Sequence, residues 1–75
     1  MQLLEDLADE LAREVLEIAK VTGDEALEKE IGEVLGTSSQ TLQEAYLTAM
    51  RVRKAEIRAR NLLAEARKKL PQAAG

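Results

Sequence analysis

Residues 30–46, EIGEVLGTSSQTLQEAY, decide how this chain folds, because two helical patterns meet within them. Gly36 suits the end of one helix, and the hydroxyl-bearing residues at 37–39 are of the kind that caps the start of the next. Gly32 lies inside the first of these helices, where glycine costs up to about 1 kcal/mol relative to alanine. A close approach of the second helix would explain that glycine.

The sequence on either side of this stretch predicts three helices. Apolar residues recur every three or four positions before and after it, as one buried helix face requires. After Ser38 the chain has no glycine or proline until Pro71, so the last helix is long. We therefore expect one all-α domain over residues 1–70, with helices at about 3–21, 24–35 and 38–70, followed by a disordered tail at 71–75.

The composition argues against catalysis and against bound metals or cofactors. The 75 residues include no cysteine and no histidine, which removes disulfides, thiolate nucleophiles and the usual zinc ligands. Carboxylate-bridged metal sites in helical bundles usually carry a Glu-x-x-His element, which is absent here. No glycine-rich loop is present that would hold a phosphate. We expect neither an enzyme nor a metal or cofactor site.

The sequence also gives no reason to expect a membrane protein. The N-terminus, MQLLEDLADE, is acidic where a signal peptide would be basic, and no apolar run approaches the roughly 18 residues of a spanning helix. These features predict a soluble cytoplasmic protein without a membrane partner.

Charge is distributed unevenly along the chain, although the net charge is only −3. Residues 1–35 contain eleven acidic and three basic side chains, whereas residues 36–75 contain three acidic and eight basic ones. The two halves therefore have opposite net charges of −8 and +5. We expect them to pack against each other, within one chain or between chains.

The third helix has a heptad pattern of small and apolar residues. Alanine at many of these positions would allow another helix to approach closely. Glu56 interrupts the pattern, and Arg53 and Arg60 are expected to pair with it across one helical turn. The pattern predicts a homodimer interface made by Leu42, Ala45, Ala49, Val52, Ala59, Leu63 and Ala66, with Leu70 extending the same face.

The junction between the second and third helices has the residue spacing of a tight, steep turn. With Gly36 aligned to a turn glycine, Gly32 falls at a position that needs a small residue, and the apolar residues Ile31, Leu35, Leu42 and Ala45 fall at buried positions. Over residues 28–47 the chain thereby resembles helix-turn-helix DNA-binding regulators, at the level of the motif and without indicating a particular family.

The resemblance implies double-stranded DNA as a partner. It would place Ser38, Ser39, Gln40, Gln43 and Glu44 toward a DNA groove. Helical spacing then continues that face into the basic residues Arg51, Lys54 and Arg58, which would hold phosphates. The expected function is a small DNA-binding regulator. Glu44 within this face weighs against it, because a carboxylate repels phosphate.

A second hypothesis explains the same features without DNA. The acidic helices or the long third helix would dock onto a protein, as in an adaptor, a small chaperone or an inhibitor of a larger assembly. The basic face would then be solvated or paired with acidic helices.

Overall fold

The computed structural model describes residues 2–71. These residues form three α-helices and no strand. The helices are α1 (Gln2–Thr22), α2 (Leu27–Ser38) and α3 (Gln40–Arg67). The predicted all-α fold is confirmed. Residues 68–70 form a turn, so α3 ends three residues earlier than predicted. Most of the predicted disordered tail, residues 72–75, lies outside the described residues.

The connection between α1 and α2 is longer than the sequence pattern indicates. Gly23 ends α1, close to the predicted end at residue 21, with a φ of 73° and its N–H donating to the Ala19 carbonyl at 2.7 Å. Asp24, at the predicted start of α2, lies outside the helix. Its carboxylate accepts a hydrogen bond from the backbone N–H of Ala26, and α2 begins only at Leu27. The predicted start at residue 24 was therefore wrong by one turn.

The break between α2 and α3 is a single residue, Ser39. Its backbone is extended, with φ −157° and ψ 102°, and its Oγ accepts a hydrogen bond from the Leu42 N–H at 3.1 Å. The Ser39 N–H in turn donates to the Leu35 carbonyl, so the two helices are joined with almost no loop. Among the three candidate caps, Ser39 is the one that caps α3.

Gly36 does not end α2, contrary to the sequence-based expectation. The helix continues to Ser38, and Gly36 lies within its last turn. Its missing side chain has a different use, because a Cβ at Gly36 would lie 2.5 Å from Nε2 of Gln43. Gly36 therefore leaves room for the Gln43 carboxamide where α3 passes α2.

The three helices run up, down and up. Leu4 near the start of α1 lies with Leu42 near the start of α3, and further along Asp9 bonds Arg53, so α1 and α3 run in the same direction. Glu28 of α2 bonds residues well along α3, which makes α2 antiparallel to both neighbours. Most of the length of α2 thus lies alongside α3.

The core is centred on Tyr46 and Met50 of α3, which contact the buried α1 residues Ala8, Ala12 and Val15. The pattern of small residues on α1 lets the larger side chains of α3 approach closely. The Tyr46 hydroxyl donates to the Glu28 carbonyl of α2 at 2.9 Å, which satisfies the one polar atom of this buried ring. Neither Tyr46 nor Met50 is among the residues of the predicted seam, so their central position was not anticipated from the sequence.

Gly32 lies buried opposite the Tyr46 ring. A Cβ on Gly32 would be 3.6 Å from Cε2 of Tyr46 and 4.0 Å from Cδ2 of Leu47. The close helix approach expected at this glycine is therefore present, and its contact is the single aromatic ring of the chain.

The molecule is elongated because α3 extends beyond α1 and α2. Its radius of gyration is 16.3 Å, whereas a compact chain of this length has about 11 Å. Every residue from 57 to 71 is exposed, and we call this segment the arm. No helix within residues 2–71 is long and apolar enough to cross a membrane.

Candidate functional site

Two surfaces of α3 are candidates for function. The first holds the residues predicted to contact DNA, and the second is the heptad seam.

The predicted base-reading residues do not form one continuous face. Ser39 is occupied as the cap of α3, and Ser38 is the exposed last residue of α2. Gln40 and Glu44 are neighbours on α3, with Nε2 of Gln40 3.5 Å from Oε1 of Glu44. Gln43, by contrast, points to α2, where its Nε2 donates to the Gly32 carbonyl at 2.9 Å. DNA reading by Gln43 would require this hydrogen bond to break.

The three basic residues predicted to contact phosphate differ in their surroundings. Lys54 is half-buried, and its Nζ lies 2.5 Å from Oε1 of Glu28. Arg51 and Arg58 are exposed and make no ion pair within residues 2–71. Seven residues apart, they lie on one face of α3 about 10 Å from each other. This surface thus presents two solvated cations, Arg51 and Arg58, to an anionic partner.

The predicted oligomer seam is divided at Val52. Before it, Leu42, Ala45 and Ala49 are half-buried and pack against the core of the chain itself. From Val52 onward the seam is exposed, and Val52 and Leu63 each leave 61% of their surface accessible. Leu62 and Leu70 add further exposed apolar surface, and Ala59 and Ala66 separate the larger side chains.

The buried part of the seam opens into a shallow groove between α1 and α3, which we call the α1–α3 groove. Its apolar floor comes from Leu4 of α1 and from Ala45, Ala49 and Val52 of α3. The carboxylate residues Glu5 and Glu44 also line it. The groove is therefore apolar with an acidic border, and it is continuous with the exposed seam of the arm through Val52.

An ion-pair cluster lies where the seam leaves the core. Arg53 donates from Nε and Nη2 to both carboxylate oxygens of Asp9, at 2.7 and 2.6 Å, and from Nη1 to Glu56 at 3.1 Å. Arg60 donates to the other oxygen of Glu56 at 2.9 Å. The predicted pairing of Glu56 with Arg53 and Arg60 is confirmed.

These contacts shift the ionisation of the cluster. The hydrogen bond from Arg53 holds the pKa of Asp9 below its ordinary value, and the hydrogen bonds from Arg60 and Arg53 do the same for the pKa of Glu56. The bond to Asp9 raises the pKa of Arg53. Sequence reasoning had missed the Asp9–Arg53 pair, because only the opposite charges of the two halves pointed to it.

Within residues 2–71 no group of three or more carboxylate side chains is arranged to hold a metal ion. Comparison of the chain with models of protein families, with curated proteins and with solved structures gives no match.

Proposed function

We propose that this chain is a non-enzymatic helical protein-interaction module, and that the exposed seam of α3 is its docking surface. The observation that carries the proposal is the exposure of the arm. Leu62, Leu63 and Leu70 leave 71%, 61% and 61% of their surface accessible on a helix that projects beyond the core. Contiguous apolar surface of this kind on a small protein marks a site of association.

The packing of α3 favours a protein partner over DNA. Two residues predicted to face DNA, Gln43 and Lys54, are bonded to α2. The α1–α3 groove next to the seam is bordered by carboxylates, which would repel phosphate. An apolar strip bordered by charged residues instead resembles the core and rim of a protein interface.

Photo-crosslinking inside the cells that produce the protein tests this proposal. A photoreactive residue at position 63 faces along the seam, whereas one at position 61 faces away from it, since two residues rotate a helix by about 200°. Both positions are exposed in the arm, so neither substitution disturbs the core. We expect a covalent adduct with a protein from position 63 and none from position 61. Equal or absent labelling at the two positions would contradict the proposal.

Double-stranded DNA is a second proposed partner, supported by the exposed pair Arg51 and Arg58. If they hold phosphates, affinity for a duplex falls linearly with salt on logarithmic axes, and each arginine replaced by alanine reduces the slope by about 1. Arg60→Ala is the matched control, because Arg60 is bonded to Glu56 on the same helix. A duplex that does not bind even at low salt would exclude this second function.

A further inference from the structure

We infer that the occupant of the α1–α3 groove is the arm of a second copy of this chain, bound antiparallel to α3. The inference rests on the proposed function, since it names the partner of the same docking surface. It goes beyond a simple pairing of seams, because each copy supplies both a groove and an arm. Two such contacts related by a two-fold axis would close the dimer.

The amount of exposed surface fits an interface of this size. The accessible surface of the chain is 6146 Å², against about 4,600 Å² for a compact protein of its mass. The excess is about 1,500 Å², and a standard interface buries about 800 Å² on each partner. The chain therefore exposes enough surface for an interface of standard size.

Glu56 selects the antiparallel orientation. In a parallel dimer in register, each Glu56 would face Glu56 of the other copy across the seam, which brings like charges together. In an antiparallel dimer with Leu63 opposite Val52, Glu56 faces Ala59 of the second copy instead. Its carboxylate then keeps its present bonds to Arg53 and Arg60.

The charges of the arm and the groove select the register. With Leu63 opposite Val52, the same spacing brings Ala66 opposite Ala49 and Leu70 opposite Ala45, so the apolar residues of the arm fill the floor of the groove. Lys69 of the arm then comes near Glu44 of the second copy. The basic end of the arm thus meets the acidic border of the groove, which pairs the opposite charges of the two halves between copies.

Sedimentation equilibrium across a concentration series tests the partner. We expect the wild-type mass to rise toward about twice 8.3 kDa. Leu63→Asp should weaken association at least about a hundredfold, because a leucine is lost from both copies. Asn61→Asp adds the same charge on the opposite face and should leave association unchanged. Circular dichroism checks that both variants keep the helical fold, since positions 61 and 63 lie outside the core.

Cysteine cross-linking tests the orientation, because the chain has no cysteine of its own. A mixture of Val52→Cys and Leu63→Cys chains should form a mixed disulfide. Leu63→Cys alone should not, since its two copies would be about 16 Å apart along the helix axis. Efficient self-coupling of Leu63→Cys, without the mixed disulfide, would overturn the antiparallel arrangement.

A charge exchange tests the register. Glu44→Lys and Lys69→Glu should each weaken the dimer, by about threefold to tenfold, and the double variant should restore it. Failure of the double variant to recover would contradict docking of the arm in the groove.

The outcomes separate this inference from the proposed function. A chain that is monomeric at every concentration, but that cross-links through position 63 to a different protein, would overturn self-docking and leave the interaction module intact. A monomer with no adduct at position 63 would contradict both the self-docking and the proposed interaction module.

Discussion

At the scale of single residues, Gly32 shows how a missing side chain is used. A methyl group at this position would make ordinary contacts of 3.6 and 4.0 Å with Tyr46 and Leu47. We therefore expect Gly32→Ala to stabilise the fold by up to about 1 kcal/mol, because alanine is the better helix former. Gly32→Leu should destabilise it by about 1–3 kcal/mol, since the longer side chain meets the Tyr46 ring.

Urea unfolding followed by circular dichroism measures both changes. If Gly32→Leu were as stable as Gly32→Ala, the close packing of α2 on α3 at this position would be contradicted.

Because of Tyr46, the free energy of unfolding should vary with pH in the alkaline range. Burial, and then the negative charge of Glu28, raise the pKa of Tyr46 to about 12 from an ordinary value of 10.0. The folded protein therefore keeps its proton where the unfolded chain loses it. The contribution of Tyr46 to the free energy of unfolding is complete below about pH 10. Between about pH 10 and about pH 12 it falls by about 1.4 kcal/mol per pH unit.

Tyrosinate absorbance reports this titration without interference, because Tyr46 is the single tyrosine and tryptophan is absent. Tyr46→Phe is the control, and it should remove the difference in alkaline slope. It should also cost about 1 kcal/mol at neutral pH through the lost bond to Glu28. A Tyr46 that titrates near 10 in the folded protein would contradict its burial.

At the scale of the helices, Ser39 is what separates α2 from α3. Its hydroxyl satisfies the Leu42 N–H, and we expect Ser39→Ala to cost about 1 kcal/mol. Ser38→Ala, one residue earlier, is the matched control, because Ser38 is exposed and makes no side-chain hydrogen bond within the described chain. Thermal unfolding of the two variants measures the difference, and equal stabilities would show that Ser39 does not act as the cap.

The sequence predicted the helices well where a local signal marks them, and poorly where packing decides. Gly23, which adopts the αL conformation that glycine tolerates, ends α1 close to the predicted position. Gly36 has the same local signal, but its φ is not positive, α2 continues past it to Ser38, and Gln43 of α3 lies against it. Likewise, the position of Gln43 could not be read from helical spacing, since it depends on which neighbour α3 packs against. Tertiary contacts override local preference at both residues.

The docking surfaces likewise combine features that the sequence predicts with features that only the packing of the helices determines. The heptad spacing of the seam is a property of the sequence, and so is the charge difference between the halves. Where the seam leaves the core is not, because the heptad spacing runs on past Val52 into the arm. Only the relative lengths and directions of the helices place Val52 at the end of the groove and expose the arm.

At the scale of the whole molecule, the arm adds length without adding to the core. No residue from 57 to 71 is even half-buried, so a chain that ends at Asn61 keeps every core contact made by Tyr46 and Met50. We expect this shortened chain to fold, with a melting temperature that does not change with protein concentration. The full chain should melt at higher temperatures as its concentration rises, because association stabilises the folded state by mass action. Differential scanning calorimetry over a hundredfold concentration range compares the two. If the melting temperature of the full chain were equally independent of concentration, the arm would contribute nothing to self-association.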